Sequence, residues 1–214
     1  MRFRTALSAT FIALLGVTAG TAHATSITYN NFGSGNGGNS YTQGIGWTIN
    51  IPNAETFTPS TSGTLASIVL ALEYLGPGTN AGSVSVDADA GGTPGSVLES
   101  FAVSNLPPFD GGFHTPLTLT DTVNLTLMAG TPYWIVTSAA SSSTLVWNLN
   151  SIGATGTRAI LDPTWFTVSQ PLAALRVTQN DAVAPVPEPT SMLLLGTGLV
   201  SVGARRWRNR RQRS

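Results

Sequence analysis

Ser83-Val-Ser-Val-Asp-Ala-Asp89 gives the clearest indication of the fold class, because apolar and polar residues alternate along it. In a β-strand, successive side chains point to opposite faces, so Val84, Val86 and Ala88 would share one face. The segment therefore predicts a strand that buries one side against a core. Thr122-Val-Asn-Leu-Thr-Leu127 has the same alternation and predicts a second strand of this type.

The apolar residues of segment 64–75 fit two different periods. Leu65, Ile68 and Leu72 are spaced for one face of a helix. Ile68, Leu70 and Leu72 are spaced for one face of a strand. The surrounding sequence is rich in Thr, Ser, Val and Gly, with short apolar runs broken by turn residues, and this context favours the strand. Later strands are predicted at 132–137, 144–148, 165–168 and 173–178.

About ten such segments and no long helix predict an all-β fold, an antiparallel β-sandwich of the jelly-roll type over residues 44–181. The preceding segment, 25–43, includes Gly33-Ser-Gly-Asn-Gly-Gly-Asn39 and is expected to be flexible. This glycine run lacks the lysine of a phosphate-binding loop, so it does not indicate a nucleotide site.

Charge is segregated along the chain of 214 residues, which contains no lysine and no cysteine. Eight of the ten arginines lie at the two ends. Between residues 25 and 185, only Arg158 and Arg176 offset nine Asp and Glu residues, which leaves a net charge of −7. Phosphate backbones repel a body this acidic, so nucleic acid is excluded as a partner. The lack of cysteine excludes disulfides and thiolate metal sites.

Residues 1–24 have the three parts of a secretory signal peptide. Arg2 and Arg4 give a basic start, and an apolar run follows. Ala22-His-Ala24 then offers the small residues that signal peptidase accepts. The alternatives are a retained N-terminal anchor or a buried helix, but the short apolar run and the cleavage pattern favour removal after Ala24. The mature chain is then expected to begin at Thr25.

The C-terminal part has three segments: a proline-rich linker (182–191), an apolar stretch (192–204) and a tail (205–214) with six arginines. Thirteen helical residues would span about 20 Å, less than the roughly 30 Å of a bilayer's hydrocarbon core. The stretch is therefore predicted to be a short transmembrane helix suited to transient anchoring, with the tail in the cytoplasm. A buried helix is the alternative, which six like charges at its end disfavour. The predicted membrane-stop cluster consists of Arg205, Arg206, Arg208, Arg210, Arg211 and Arg213.

Pro187-Glu-Pro189, the apolar stretch after it and the terminal arginines together resemble the PEP-CTERM sorting signal, which is also named the ice-binding protein C-terminal domain. The resemblance covers residues 184–214. It implies recognition of Pro187, Glu188 and Pro189 by exosortase, a membrane protease-transpeptidase of Gram-negative bacteria that make exopolysaccharide. The chain would then be a substrate that crosses the inner membrane, is anchored there transiently, is cut, and reaches the cell surface or the extracellular space.

Three short segments of the body carry a second resemblance. They are Glu55-Thr-Phe-Thr58, Gly91-Gly-Thr-Pro-Gly-Ser-Val-Leu98 and Ala129-Gly-Thr-Pro-Tyr-Trp-Ile-Val136, and Trp147 follows them. Together they resemble the choice-of-anchor domains, exported β-sandwich domains that occur with alternative sorting tails, and within these type R. The resemblance implies a fold and a surface location but no binding residues.

The body offers few residues for catalysis or metal binding. Asp87-Ala-Asp89 resembles the start of a calcium loop, but the rest of the loop is missing. Both carboxylates are therefore expected on the solvent face of a strand, before a hairpin turn at 91–95. His114 is the only histidine outside the signal peptide, which excludes paired-histidine sites. No catalytic residue and no cofactor are predicted, although two of the carboxylates would suffice for a glycosidase.

Aromatic residues leave a binding function open. Such side chains stack on sugar faces, but more often they pack in cores. The expected function is a non-enzymatic structural or interaction role in the envelope or biofilm matrix, and the alternative is a carbohydrate-binding module for exopolysaccharide. The aromatic candidates are Trp47, Tyr74, Trp134, Trp147 and Trp165.

Overall fold

The computed structural model describes residues 24–181, which form fourteen strands and one short helical turn. The predictions for the signal peptide with Ala22, the linker with Pro187, Glu188 and Pro189, the transmembrane segment and the arginine tail lie outside the described residues. Within 24–181, no helix is long and apolar enough to cross a membrane. The elements are β1 (Thr25–Asn30), α1 (Gly35–Gly38), β2 (Tyr41–Ile49), β3 (Asn53–Phe57), β4 (Gly63–Leu70), β5 (Leu72–Tyr74), β6 (Ala81–Asp89), β7 (Pro94–Ser104), β8 (Leu117–Thr120), β9 (Thr126–Leu127), β10 (Tyr133–Ala139), β11 (Leu145–Asn150), β12 (Thr155–Leu161), β13 (Trp165–Pro171) and β14 (Leu175–Asp181).

Antiparallel pairing joins the strands into three sheets. A five-stranded sheet has the order β1-β14-β4-β8, with β9 also paired to β4. A six-stranded sheet has the order β13-β12-β3-β10-β6-β7, and a three-stranded sheet has the order β2-β11-β5. The Asn148 N–H donates to the Ala71 carbonyl at 2.9 Å, and the Ala174 N–H donates to the Asn148 carbonyl at 2.8 Å. These bonds make the three-stranded sheet a continuation of the five-stranded one.

One hydrophobic core joins all three sheets. Leu175 of the five-stranded sheet, Trp147 of the three-stranded sheet, and Val84 and Ile135 of the six-stranded sheet belong to the same buried cluster. All four side chains are 0% exposed. Burying a side chain of this size stabilises a fold by about 1.5–3 kcal/mol. The five- and three-stranded sheets therefore form one layer and the six-stranded sheet the other, which confirms the predicted all-β sandwich.

Six of the seven strand segments predicted from the sequence form strands: 64–75, 83–89, 132–137, 144–148, 165–168 and 173–178. The alternating segment lies in β6, where Val84 and Val86 are buried in the core. Segment 64–75 forms β4 and β5. Val69 and Ala71 pack in a second buried cluster, apart from the main core. Both faces of this strand are therefore covered, which explains why its sequence does not alternate cleanly.

The strand predicted at 122–127 is largely wrong, because only Thr126–Leu127 forms one. Asn124 has a φ of 58°, in the left-handed region that an extended strand excludes. The Asp121 carboxylate accepts a hydrogen bond from the Leu125 N–H at 3.1 Å. The chain turns here, and Val123 is left 57% exposed.

Segment 25–43, predicted to be flexible, contains β1, α1 and the start of β2. β1 pairs with β14, and the Tyr29 ring centroid lies 5.8 Å from that of Phe57. Within the glycine run, Asn36 and Gly37 have positive φ angles and form a tight turn. The structure departs from the prediction because β1 is held by partners that lie far away in the sequence.

Candidate functional site

The two ends of the described chain lie side by side. Thr25, at the start of β1, is the register partner of Asn180, near the end of β14. The Thr25 hydroxyl donates a hydrogen bond to Asn180 Oδ1 at 3.4 Å. Ala24, which precedes the predicted cleavage point, is exposed. The predicted signal cleavage point and the predicted linker therefore adjoin the same end of the same sheet, called here the exit end.

β14 has a central position in the five-stranded sheet, between β1 and β4. Its pairing with β4 runs from Leu175 opposite Leu70 to Asp181 opposite Gly63. β14 is also the last strand before the predicted linker. The sheet is therefore complete only when the chain up to residue 181 is in place.

Three of the five aromatic candidates are buried and serve the fold. The indole N–H of Trp147 donates to the Ala174 carbonyl at 2.9 Å. The Trp47 ring packs edge-on against Trp147, with a centroid separation of 5.7 Å, and the Arg158 guanidinium carbon lies 4.3 Å from the centroid of Trp47. Trp134 is 1% exposed, and its indole N–H donates to Asp89 Oδ1 at 2.8 Å.

The other two aromatic candidates, Tyr74 and Trp165, are half-buried but belong to different sheets. Trp165, at the start of the edge strand β13, packs against a small buried cluster that includes Trp134 and Ala159. Its neighbour Phe166 is 44% exposed. Trp165 is thus the one aromatic candidate in the six-stranded sheet with an exposed part.

The structure corrects the expected placement of Asp87, which is buried rather than on a solvent face. Burial raises the pKa of Asp87, and the hydrogen bond from the Ser85 hydroxyl, at 2.7 Å, partly opposes this. Asp89 accepts hydrogen bonds from the Gly92 N–H at 3.1 Å and thereby caps the turn between β6 and β7. Both carboxylates therefore serve the hairpin.

Glu55 is a buried carboxylate that the sequence analysis missed. Its Oε2 accepts the Ala173 N–H at 2.8 Å, and its Oε1 accepts Asn31 Nδ2 at 3.2 Å and the Tyr29 hydroxyl at 3.4 Å. Burial raises the pKa of Glu55 well above its usual value, against the lowering effect of these three bonds. The pKa of Tyr29 is also raised, first by burial and then by the Glu55 charge. No local pattern indicates this cluster, since three distant segments build it.

A second buried carboxylate, Glu73, anchors the loop that carries His114. The Tyr41 hydroxyl donates to Glu73 Oε1 at 2.9 Å and accepts the His114 N–H at 2.8 Å. Burial, followed by the interactions with Glu73, raises the pKa of Tyr41 to about 12, while the His114 backbone bond opposes the rise. The His114 ring itself pairs with Asp110 at 3.0 Å on the surface.

Glu99 and Asp121 form a third carboxylate site, also missed in the sequence analysis. Glu99 Oε1 accepts the Thr122 N–H at 2.8 Å and the Thr122 hydroxyl at 2.9 Å. Glu99 Oε2 is buried and has no hydrogen-bond partner. Burial and the nearby Asp121 carboxyl raise the pKa of Glu99, and the two bonds from Thr122 oppose the rise. Among residues 24–181, no group of three or more His, Cys, Asp and Glu side chains is arranged to hold a metal ion.

Comparison with known families finds one match, to the PEP-CTERM protein-sorting motif over residues 185–211. No curated protein and no solved structure matches the chain. The similarity of the body to choice-of-anchor domains of type R stays a prediction. The matched motif includes Pro187, Glu188 and Pro189, as well as five of the six arginines of the predicted membrane-stop cluster. The chain therefore carries a PEP-CTERM protein-sorting motif, which indicates a protein exported through the membrane, processed by exosortase and delivered to the cell surface or extracellular space.

Proposed function

We propose that this protein is a non-enzymatic β-sandwich displayed in the envelope or exopolysaccharide matrix of a Gram-negative bacterium, where it has a structural or interaction role. Signal peptidase removes residues 1–24, and exosortase cuts near Pro187-Glu-Pro189. The observation that carries the proposal is the adjacency of Thr25 and Asn180 at the exit end. Both processing points then lie on the side of the body that faces the membrane.

Chain length supports this orientation. Six residues lead from Asp181 to Pro187, and an extended chain of that length reaches about 20 Å. Exosortase therefore acts close to the exit end of the folded body. The opposite end of the sandwich points away from the membrane and is the part available to partners before release.

The position of β14 in the sheet indicates a second role for the sorting tail, in folding. Because β14 lies between β1 and β4, the five-stranded sheet forms only after the chain has crossed the membrane as far as residue 181. A transient anchor directly after this strand holds the chain at the membrane while β14 pairs. Cleavage then releases a body that is already folded.

The non-enzymatic role is supported by the partners of the buried carboxylates. Glu55, Glu73 and Asp87 each accept hydrogen bonds from the protein's own groups. The bonds to Glu55 and Glu73 connect distant segments of the fold, and all three carboxylates are buried, which keeps them from a substrate in the solvent. We expect no release of reducing ends from bacterial exopolysaccharide, and hydrolysis abolished by a single Asp or Glu substitution would contradict the proposal.

Fractionation of the native host tests the sorting step. Alanine in place of Pro187, Glu188 and Pro189 together should leave uncut chain in the membrane fraction and little protein in the medium. Val183→Ala is the matched control, since it changes the same predicted linker outside the matched motif, and its release should equal that of the parent. Equal release of the triple variant would exclude exosortase recognition at this element.

A carbohydrate-binding module for exopolysaccharide is the second candidate function, and the partial exposure of Trp165 on the six-stranded sheet is the observation that favours it. An exposed aromatic face stacks on sugar rings. In a pull-down with host exopolysaccharide, Trp165→Ala should abolish binding, whereas Tyr74→Ala, in another sheet, should not. Failure of the parent protein to bind would exclude this candidate.

A further inference from the structure

β13 is an outer strand of the six-stranded sheet, and its free edge faces the solvent. It pairs with β12 alone, in one antiparallel register that runs without a bulge from Thr155 opposite Pro171 to Leu161 opposite Trp165. Five of the seven residues of β13 are exposed. The strand therefore presents a regular, uncovered edge to the solvent.

Every second residue of β13 directs its backbone N–H and carbonyl groups away from β12. The Leu172 N–H, directly beyond the end of β13, donates to the Ala154 carbonyl at 2.9 Å. Because alternate residues bond to a neighbouring antiparallel strand, the N–H groups of Trp165, Thr167 and Ser169 point outward. Among residues 24–181, these three N–H groups have no hydrogen-bond partner.

The other edge strands of the described chain have features that oppose the addition of a further strand. β1, β2 and β7 have register shifts in their pairing, and β7 also begins with Pro94 and contains Glu99. β5, β8 and β9 have only three, four and two residues, and segment 107–109 covers β5. β13 is longer and regular, and its residues 165–170 include no charge and no proline.

The distribution of charge indicates a second copy of this chain as the partner for this edge. The net charge of −7 between residues 25 and 185 makes two copies repel each other across most of their surface. Two β13 strands can meet without facing carboxylates, because residues 165–170 are uncharged. In an antiparallel pairing, the Asp162 carboxylates of the two copies lie at opposite ends of the contact. Phe166, which is 44% exposed, adds apolar surface to the same strand.

We propose that two copies of the protein associate through β13, by antiparallel pairing that joins their six-stranded sheets into one continuous sheet. Each copy donates the N–H groups of Trp165, Thr167 and Ser169 to carbonyl groups of the other. A single strand pair lies at the small end of protein interfaces, below about 1,200 Å², so the dimer forms reversibly. The inference goes beyond the proposed function, since it depends neither on exosortase cleavage nor on sugar binding.

Sedimentation equilibrium of the full-length chain in density-matched detergent tests the pairing. The parent should change from monomer to dimer as its concentration rises. Thr167→Pro should weaken dimerisation about tenfold or more, because it removes one hydrogen bond from each copy and places a ring at the edge. Thr167→Val keeps the N–H and should dimerise like the parent. The Thr167 N–H makes no bond to β12, so Thr167→Pro should still fold, which urea unfolding checks.

Two further pairs of variants do not alter the backbone. Ser169→Lys places like charges on facing strands and should also weaken dimerisation about tenfold or more. Ser96→Lys, at an exposed position of the edge strand β7, should leave dimerisation unchanged. Because the chain has no cysteine, cross-linking can be directed to one position. A short bismaleimide should join two copies of Thr167→Cys but not two copies of Ser96→Cys.

Three results would overturn the proposal. The parent would stay monomeric at its highest soluble concentration, or Thr167→Pro and Ser169→Lys would dimerise like the parent, or Ser96→Cys would cross-link as readily as Thr167→Cys. Dimerisation that persists in both variants would place the contact in another part of the chain. A monomeric parent whose β13 amides become protected from hydrogen exchange only with a different envelope protein would assign this edge to that protein and contradict pairing between copies.

Discussion

Replacing Glu55 with alanine should destabilise the sandwich strongly, because donors from other segments converge on this carboxylate. The side chain is 0% exposed. Glu55 accepts the Ala173 N–H at 2.8 Å and Asn31 Nδ2 at 3.2 Å; without it the Ala173 N–H has no acceptor, and Asn31 Nδ2 keeps only its bond to the Ala173 carbonyl at 2.7 Å. Each unsatisfied donor costs about 1–3 kcal/mol, and the cavity adds to this. We expect Glu55→Ala to lower the free energy of unfolding by about 3–5 kcal/mol.

Glu55→Gln separates the effect of charge from that of shape. Burial raises the pKa of Glu55, so the native state binds the proton more tightly than the unfolded state. The resulting stabilisation is fully present below the unfolded pKa of about 4.3 and is lost as the pH rises through the native pKa. Within this window, each pH unit removes up to about 1.4 kcal/mol from the parent and nothing from Glu55→Gln at this site. Asp110 contributes in the opposite direction, because the Gly112 N–H and His114 lower its pKa. This contribution is the same in both proteins, so it cancels when their free energies of unfolding are subtracted.

Urea unfolding followed by tryptophan fluorescence measures both effects between about pH 4 and 8. The stability of the parent relative to Glu55→Gln should fall as the pH rises. Asp162→Asn, at an exposed carboxylate, serves as the control and should stay within about 0.5 kcal/mol of the parent. The reasoning is refuted if Glu55→Ala costs less than about 1 kcal/mol, or if the parent and Glu55→Gln have the same pH profile.

Two paired substitutions test the packing of the sandwich by the same urea assay. Gly78 has a φ of 96°, and a Cβ there would overlap the Ser142 carbonyl oxygen, whereas Gly91, with a φ of 73°, has open space around it. Gly78→Ala should therefore lower the free energy of unfolding by about 2 kcal/mol or more, and Gly91→Ala by about 1 kcal/mol. Equal losses would contradict the close approach of Gly78 to the Ser142 carbonyl. Trp147→Phe should lower the free energy of unfolding by about 2–4 kcal/mol, because it opens a cavity and leaves the Ala174 carbonyl with only the longer bond from the Ala71 N–H at 3.4 Å. The half-buried Trp165→Phe should cost less than about 1 kcal/mol, and the reverse order would contradict the described core.

Alternation predicts β6 correctly because burial on one face imposes a period of two residues on the sequence. The same alternation fails at 122–127, where the Asp121 bond to the Leu125 N–H and the left-handed Asn124 turn the chain. Such capping by a short polar side chain depends on local geometry and does not change the apolar spacing. Apolar periodicity therefore identifies strands that face the core but does not exclude turns within an alternating segment.

Contacts between distant segments account for what the sequence does not predict. β1 follows the predicted signal peptide and looks like the start of a flexible segment, yet it pairs with β14 at the other end of the body. The Glu55 cluster likewise needs Asn31 and Ala173, which are far from it along the chain. The sorting motif differs, because its three parts are consecutive and their order is visible in the sequence itself. The processing of this chain was therefore easier to predict than the interior of its body.

The central claim is that the mature protein is a body cut free at both ends, and the intact mass of the protein from the surface and medium of its native host tests it most directly. The account predicts a single product that begins at Thr25 and ends close to Pro187-Glu-Pro189. A chain that retains its C-terminus in the membrane would contradict the account, since the tail would then be a permanent anchor and not a sorting signal.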